Sequence, residues 1–433
     1  MVSTTELGKK TAVNLFFGIF IQALIALTFD SGGIISGTIA SIAMNTKQIK
    51  WILLMYGPLL AARGDIAVLV GKLGTGLNLG TVKPTFKNNT PAYKSFLAST
   101  LTIAMFDAVL IGTVTYVMNL ITFPAEYKVL NPTLFYVIPT LVLALAALIS
   151  TQITSAVSFF TYKKGLNPDI YVVPIMSTTN NILITVIFAG VLFILKPWHV
   201  GEATDPFWSP ALPGKEMLPT YIAIIPAILA IAGILYIIMK KRKDHEYRKI
   251  MKESVFAVFA SALIGTITGV VLTNGEKALD EFPQLLVAFP ALINTLVDQT
   301  SITANILITD FSTGYVEPKL SSIKKPKVYA SFLGIGAGGL LITLLLSLVG
   351  TFIKWRFVEL KWLTVMVMLV TGLANILGFI IVGFLIYVLA MVAFRKEIDP
   401  DNFAIPITAC LADLACAGFI IIFSSGMLLP FVN

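Results

Sequence analysis

Of the 433 residues, 57% are hydrophobic and 12% charged, and the mean hydropathy is +0.87; a soluble domain carries about 25% charged residues, so this is the composition of a membrane protein. The net charge of +8 does not build a nucleic-acid face, because lysines and arginines stand in short runs between apolar segments and serve as topology signals. Two cysteines, Cys410 and Cys416, inside one predicted span, and two histidines, His199 and His245, in predicted loops, leave no disulfide framework and disfavour zinc sites and histidine proton relays.

A helix needs about 20 apolar residues to cross a hydrocarbon core. About eleven such stretches follow one another, near 11–43, 51–81, 95–123, 133–161, 170–195, 219–239, 250–272, 283–309, 328–352, 362–394 and 402–430. The first follows Lys9-Lys10 without a small-residue cleavage site, which fits an uncleaved span better than a signal peptide; it carries Asp30 beside Ser31-Gly32-Gly33. The second would be about 45 Å long at 1.5 Å per residue, against a core of about 30 Å. It must tilt, protrude or break, with Arg63-Gly64-Asp65 the place expected to break. Its glycines, Gly71, Gly74, Gly76 and Gly80, follow no predicted strand, so they read as helix-packing residues and not as a nucleotide loop. The third span holds Asp107, a possible partner for Arg63.

Basic turns follow the even-numbered spans: Lys83, Lys87 and Lys94; Lys163 and Lys164; Lys240 to Lys243; Lys324, Lys325 and Lys327; Arg395 and Lys396. The opposite turns are mixed or acidic, with Lys354, Arg356 and Lys361 as the exception. The expected topology is N-terminus in and C-terminus out.

One phrase occurs twice. Lys163-Lys164-Gly165-Leu166-Asn167-Pro168-Asp169 leads through Pro174 to Thr178-Thr179-Asn180-Asn181, and Arg395-Lys396-Glu397-Ile398-Asp399-Pro400-Asp401 leads through Pro406 to Cys410-Leu411-Ala412-Asp413. In each, Asn167 or Asp399 is suited to cap a helix and the following Pro to its first position. The expected fold is an all-α membrane protein of two parallel five-helix repeats, 1–197 and 249–433. The segment 198–248 supplies an outer loop, one linking helix and a basic turn. Five spans is an odd number, so a single sixth helix is needed for both repeats to start on the same side; the result is equivalent to a fused homodimer. Such a chain can function as a monomer.

Asp413 lies about 18 Å along its helix from Asp401 at about 1.5 Å per residue, near mid-membrane. There an ionised carboxylate costs at least about 2.5–3.5 kcal/mol unless it meets water, a cation or a partner. Asn181 holds the equivalent place in the first repeat and offers an oxygen without a charge. Gly80-Thr81-Val82-Lys83-Pro84 and Gly314-Tyr315-Val316-Glu317-Pro318 register the second and eighth spans and bring Asp65 and Asp298 within one residue of equivalence. For Asp65, an ion pair with Arg63 or Lys72 is an alternative to a ligand role. The cation-pathway candidates are Asp413, Asn181, Asp65, Asp298, Asn78, Thr75, Thr178 and Thr309, with Asp413, Asp65 and Asp298 as metal ligands.

The segments 58–80 and 399–413, with the Asp-Pro-Asp-Asn motif and its downstream Asp, resemble the membrane domain of MgtE-type magnesium channels, and the duplication resembles solute carrier family 41. The resemblance implies transport of magnesium or a related divalent cation through a pore lined by the second and fifth helices of each repeat. It assigns the family's buried acid to Asp413; Asn181 departs from the pattern. The family's large cytosolic magnesium-sensing domains have no room before a first span that begins near residue 11, so gating by them is not assumed.

Magnesium keeps several waters and takes one or two carboxylates, which suits a pathway with few acids, some amide and hydroxyl oxygens and no thiolate or imidazole cluster. The expected partners are divalent cations and the lipid bilayer, with no nucleic acid and no cofactor beyond the transported ion, and the expected location is the cell membrane. A sodium- or proton-coupled carrier of a cation or small solute is the alternative. An enzyme is not expected, since no nucleophile–base pair or cofactor motif occurs.

Overall fold

The computed structural model describes residues 4–44, 51–124, 129, 132–165, 168–195, 217–312, 314–354, 360–396, 400–428 and 430. Among these, eleven spans are long and apolar enough to cross a membrane, and no strand occurs. The first span is α1 (Thr4–Leu27), a 3-10 turn (Thr28–Gly32) and α2 (Gly33–Ala43). The next five are α3 (Ile52–Asn78), α4 (Pro91–Thr122), α5 (Thr133–Lys163), α6 (Pro168–Leu195) and α7 (Met217–Lys241). The rest are α8 (His245–Asn274) with the short α9 (Glu276–Glu281), α10 (Pro283–Ser312), α11 (Pro326–Lys354), α12 (Leu360–Arg395) and α13 (Pro400–Met427).

The duplication is visible in how the helices pack. In each half the second helix, α3 or α10, touches the third, fourth and fifth of its own repeat. The opening helix of each half crosses to the other half: α1 packs on α11 and α2 on α10, while α8 packs on α3 and α4. Two small-residue motifs allow the crossing. Gly33 and Gly37 lie against the backbone of Ala291 and Val287 in α10, and Gly265 and Gly269 against Pro58 and Leu54 in α3. A Cβ on Gly269 would come within 2.9 Å of Leu54 C, and one on Gly37 within 2.6 Å of Val287 C. Glycine at i and i+4 strips side chains from one helix stripe and lets backbones meet.

The turns after the second helices repeat bond for bond. Gly80 (φ 71°) and Gly314 (φ 75°) are left-handed, which glycine adopts without the steric cost of a Cβ. Val82 N–H donates to Gly76 O (3.0 Å) and Val316 N–H to Asp310 O (3.1 Å), and the next turn closes from Thr85 N to Lys83 O (2.7 Å) and from Lys319 N to Glu317 O (2.8 Å).

One expectation needs correction. The second span does not break at Arg63-Gly64-Asp65, since α3 is one helix from Ile52 to Asn78. It is enclosed along nearly its whole length, and Gly64 lies within the helix facing Ala409 and Pro406 of α13, so it does not end it. The interruption lies in the first span, at Thr28–Gly32. The linking helix α7 touches α4, α5 and α6 and exposes Ile222, Ile225, Ile228, Leu229, Leu235 and Tyr236, an apolar surface suited to lipid. The proposed caps Asn167 and Asp399 lie outside the described residues.

Candidate functional site

Arg63, near the middle of α3, is 2% exposed and meets both halves of the repeated fifth-helix motif. Its Nη1 donates to Asn181 Oδ1 (3.1 Å) from α6 and its Nη2 to Asp413 Oδ1 (2.6 Å) from α13. Asn181 and Asp413, equivalent in sequence, therefore face one another across a single guanidinium. The Asn181 amide turns its other end to the second repeat, donating to Asn294 Oδ1 (2.6 Å) and Pro290 O (3.3 Å) of α10. Asp413 Oδ2 has no hydrogen-bond partner. The neighbours of Asn181 fix its helix: Asn180 Oδ1 accepts from Ser150 Oγ of α5 (2.6 Å), and Thr178 Oγ1 donates to Phe29 O (3.0 Å) in the 3-10 turn.

Two acid pockets lie around Arg63, related by the pseudo-symmetry. In one, Asp65 of α3 stands beside Asp107 of α4, and Asp65 Oδ2 accepts from Ser261 Oγ of α8 (2.6 Å). In the other, Asp30 of the 3-10 turn stands beside Asp298 of α10. Asp30 and Ser261 come from the opening helices, each delivered to the second helix of the other half. All five aspartates, at positions 30, 65, 107, 298 and 413, are at most 2% exposed. One buried guanidinium cannot neutralise five carboxyls, and isolated ionised carboxylates are strongly disfavoured at this depth. The set therefore calls for further cations or protons.

Arg63 pairs with Asp413 and not with Asp65 or Asp107, because the helical turn between positions 63 and 65 sends the two α3 side chains to different neighbours. Thr75 and Asn78 do not join the site: both are exposed in the last turns of α3, with Asn78 about 20 Å beyond Asp65 at about 1.5 Å per residue. Thr178 holds the 3-10 turn. The side chain of Thr309 lies outside those described. Sequence reading gave Asp30 no partner and missed Ser177, Ser261 and Asn294; the paired motifs Gly33-x-x-x-Gly37 and Gly265-x-x-x-Gly269 would have brought Asp30 within one residue of Ser261.

Among the described residues, no group of three or more His, Cys, Asp or Glu side chains could hold a metal ion. A cation here would take one or two carboxylates completed by amide, hydroxyl and water oxygens, a donor set that fits magnesium. Cys410 and Cys416 are free and buried.

The family MgtE, described as divalent cation transporter, matches the chain twice, at residues 56–191 and 289–425. Each match begins in a second helix and ends in a fifth helix of a repeat. No curated protein and no solved structure matches the chain.

Proposed function

The chain belongs to the MgtE family of divalent cation transporters, and from that premise we propose that its ion is magnesium and that the ion crosses between the two repeats, past Asp413 and Asn181. One observation carries the reading: the equivalent residues of the two halves converge on one positively charged group in mid-span. A guanidinium held there occupies the position a passing cation would take. In this reading Arg63 closes the pathway as a tethered cation, and conduction needs it to swing away or be displaced. With one carboxylate and one amide the constriction binds a divalent ion less tightly than two carboxylates would, which favours release.

The remaining features fit the same proposal. The basic turns favour N-terminus in and C-terminus out in the cell membrane, and the duplication supplies both halves of the axis within a monomer. A family of transporters is not a family of enzymes, and no catalytic role is proposed. The broken first span favours a second reading, sodium- or proton-coupled transport, because discontinuous helices build coupling-ion sites.

The test is flux into proteoliposomes of the full chain, read with magnesium- and manganese-sensitive dyes. Uptake that follows voltage without a sodium or proton gradient is the expected result, and strict dependence on either gradient moves the protein to the coupled reading. Asp413→Asn should abolish or sharply reduce uptake while the protein still elutes as a folded species; unchanged flux would remove Asp413 from the pathway.

A further inference from the structure

The pocket at Asp30 and Asp298 is built where three elements meet. The 3-10 turn brings Asp30, α10 brings Asp298 and Thr295, and α6 brings Ser177. The turn is held in place on both sides: Gly32 packs on the Thr178 side chain, Gly33 packs on the Ala291 backbone, and Thr178 Oγ1 bonds the turn carbonyl of Phe29. Thr295 of α10 faces Asp30, with its Oγ1 also 3.0 Å from Ala291 O. None of the four carboxyl oxygens of Asp30 and Asp298 has a hydrogen-bond partner. A further observation is independent of the acids: Ser177 Oγ, buried and also without a hydrogen-bond partner, is turned toward Asp298.

We propose that Asp30, Asp298 and Ser177 form a divalent-cation site, separate from the Arg63 axis, at the break in the first span. The proposal rests on the reading that this chain handles divalent cations and adds a place where one resides. Two carboxylates carry the charge that one divalent ion neutralises, and hydroxyl and retained water oxygens complete the coordination of a hard ion. Arg63 is the charged group of opposite sign that acts on both acids, but its Nη1 and Nη2 are turned to Asn181 and Asp413. Helix adhesion does not explain the pair. At the equivalent crossing, Ser261 of α8, within one residue of the position of Asp30, meets Asp65 with one ordinary hydrogen bond, so the opening helix needs no carboxyl of its own to join the second helix.

The experiment counts Mn2+ bound to the purified full chain in detergent, by electron paramagnetic resonance of the free ion. Asp30→Asn should weaken one site at least ~10-fold, since even outer-shell changes at metal sites cost ~10–100-fold. Asp30→Asn/Asp298→Asn should lose one equivalent of Mn2+, whereas Asp413→Asn should keep it. Equal Mn2+ binding by wild type and the double variant overturns the site and leaves the carboxyls as proton carriers or helix contacts. Should the aspartate variants aggregate, Ser177→Ala carries the test: a several-fold weaker site is expected, and an unchanged site overturns the proposal. The two readings fail separately. Bound Mn2+ that depends on Asp30, without flux in liposomes, refutes transport and keeps the site; flux with no Mn2+ dependence on Asp30 does the reverse.

Discussion

Replacing Arg63 by methionine removes the guanidinium while keeping a long side chain in the space. Asp413 then loses the hydrogen bond to Oδ1 (2.6 Å) and, with Oδ2 already unpartnered, becomes a buried carboxylate without a cation. Removing one partner of a buried pair costs about 3–5 kcal/mol, whereas replacing both by apolar residues is often neutral or stabilising. Arg63→Met should therefore lower the thermal unfolding midpoint in detergent well below wild type, and Arg63→Met/Asp413→Leu should recover most of the loss. If a divalent ion can stand where the guanidinium stood, magnesium at about 100 times its Kd returns about 2.7 kcal/mol to Arg63→Met. The readout is the increment that magnesium adds in each protein, measured by tryptophan fluorescence during heating. That increment should be larger in Arg63→Met than in wild type, and the excess should vanish in the double variant. Equal increments in all three proteins would show that Arg63 does not occupy a cation position.

Asn181→Asp places a second carboxylate on the axis; the Asn294 amide, whose Nδ2 has no partner, can turn to donate to it. We expect tighter Mn2+ binding and slower release in flux assays, and unchanged affinity would mean that positions 181 and 413 do not share an ion. Gly269→Ala forces a methyl against the Leu54 backbone and should cost about 1–3 kcal/mol as an overpacked contact; Gly233→Ala, with open space around it, serves as the control, and equal melting temperatures would refute the crossing contact. At the start of α8, burial would raise the Asp244 carboxyl, but the Ser95 hydroxyl, Lys241 and the Tyr247 N–H outweigh it and hold the group at about 2 against an ordinary 3.8. A lowered value contributes stability above pH about 4 that is lost as pH falls through about 2, and partial exposure limits the contribution to about 1 kcal/mol. The gap in melting temperature between wild type and Asp244→Ala should thus narrow between pH 5 and pH 2, and a gap independent of pH would refute the assignment.

Much of the architecture is written locally and is legible in the chain. Apolar run length is fixed by bilayer thickness, and the basic turn with its Pro-started helix marks each fifth span. Gly80 and Gly314 register the second helices because a left-handed turn selects glycine wherever it recurs. Asp413 and Asn181 were legible as a pair from their shared distance to Pro406 and Pro174. The partners of these groups were not legible, because partner choice depends on helix rotation and on contacts far apart in sequence. Arg63 is nearer to Asp65 along the chain, yet the turn of α3 points it at α13. Along the chain Asp30 stands alone, because its partner, Asp298, lies in the other repeat, reached only through the crossed opening helix. The sequence by itself determined a duplicated, all-helical membrane protein with a polar pair at mid-span. Only the tertiary structure decided that a guanidinium sits between that pair and that the other acids form two pockets, since burial and helix rotation, and not spacing, choose which charges meet.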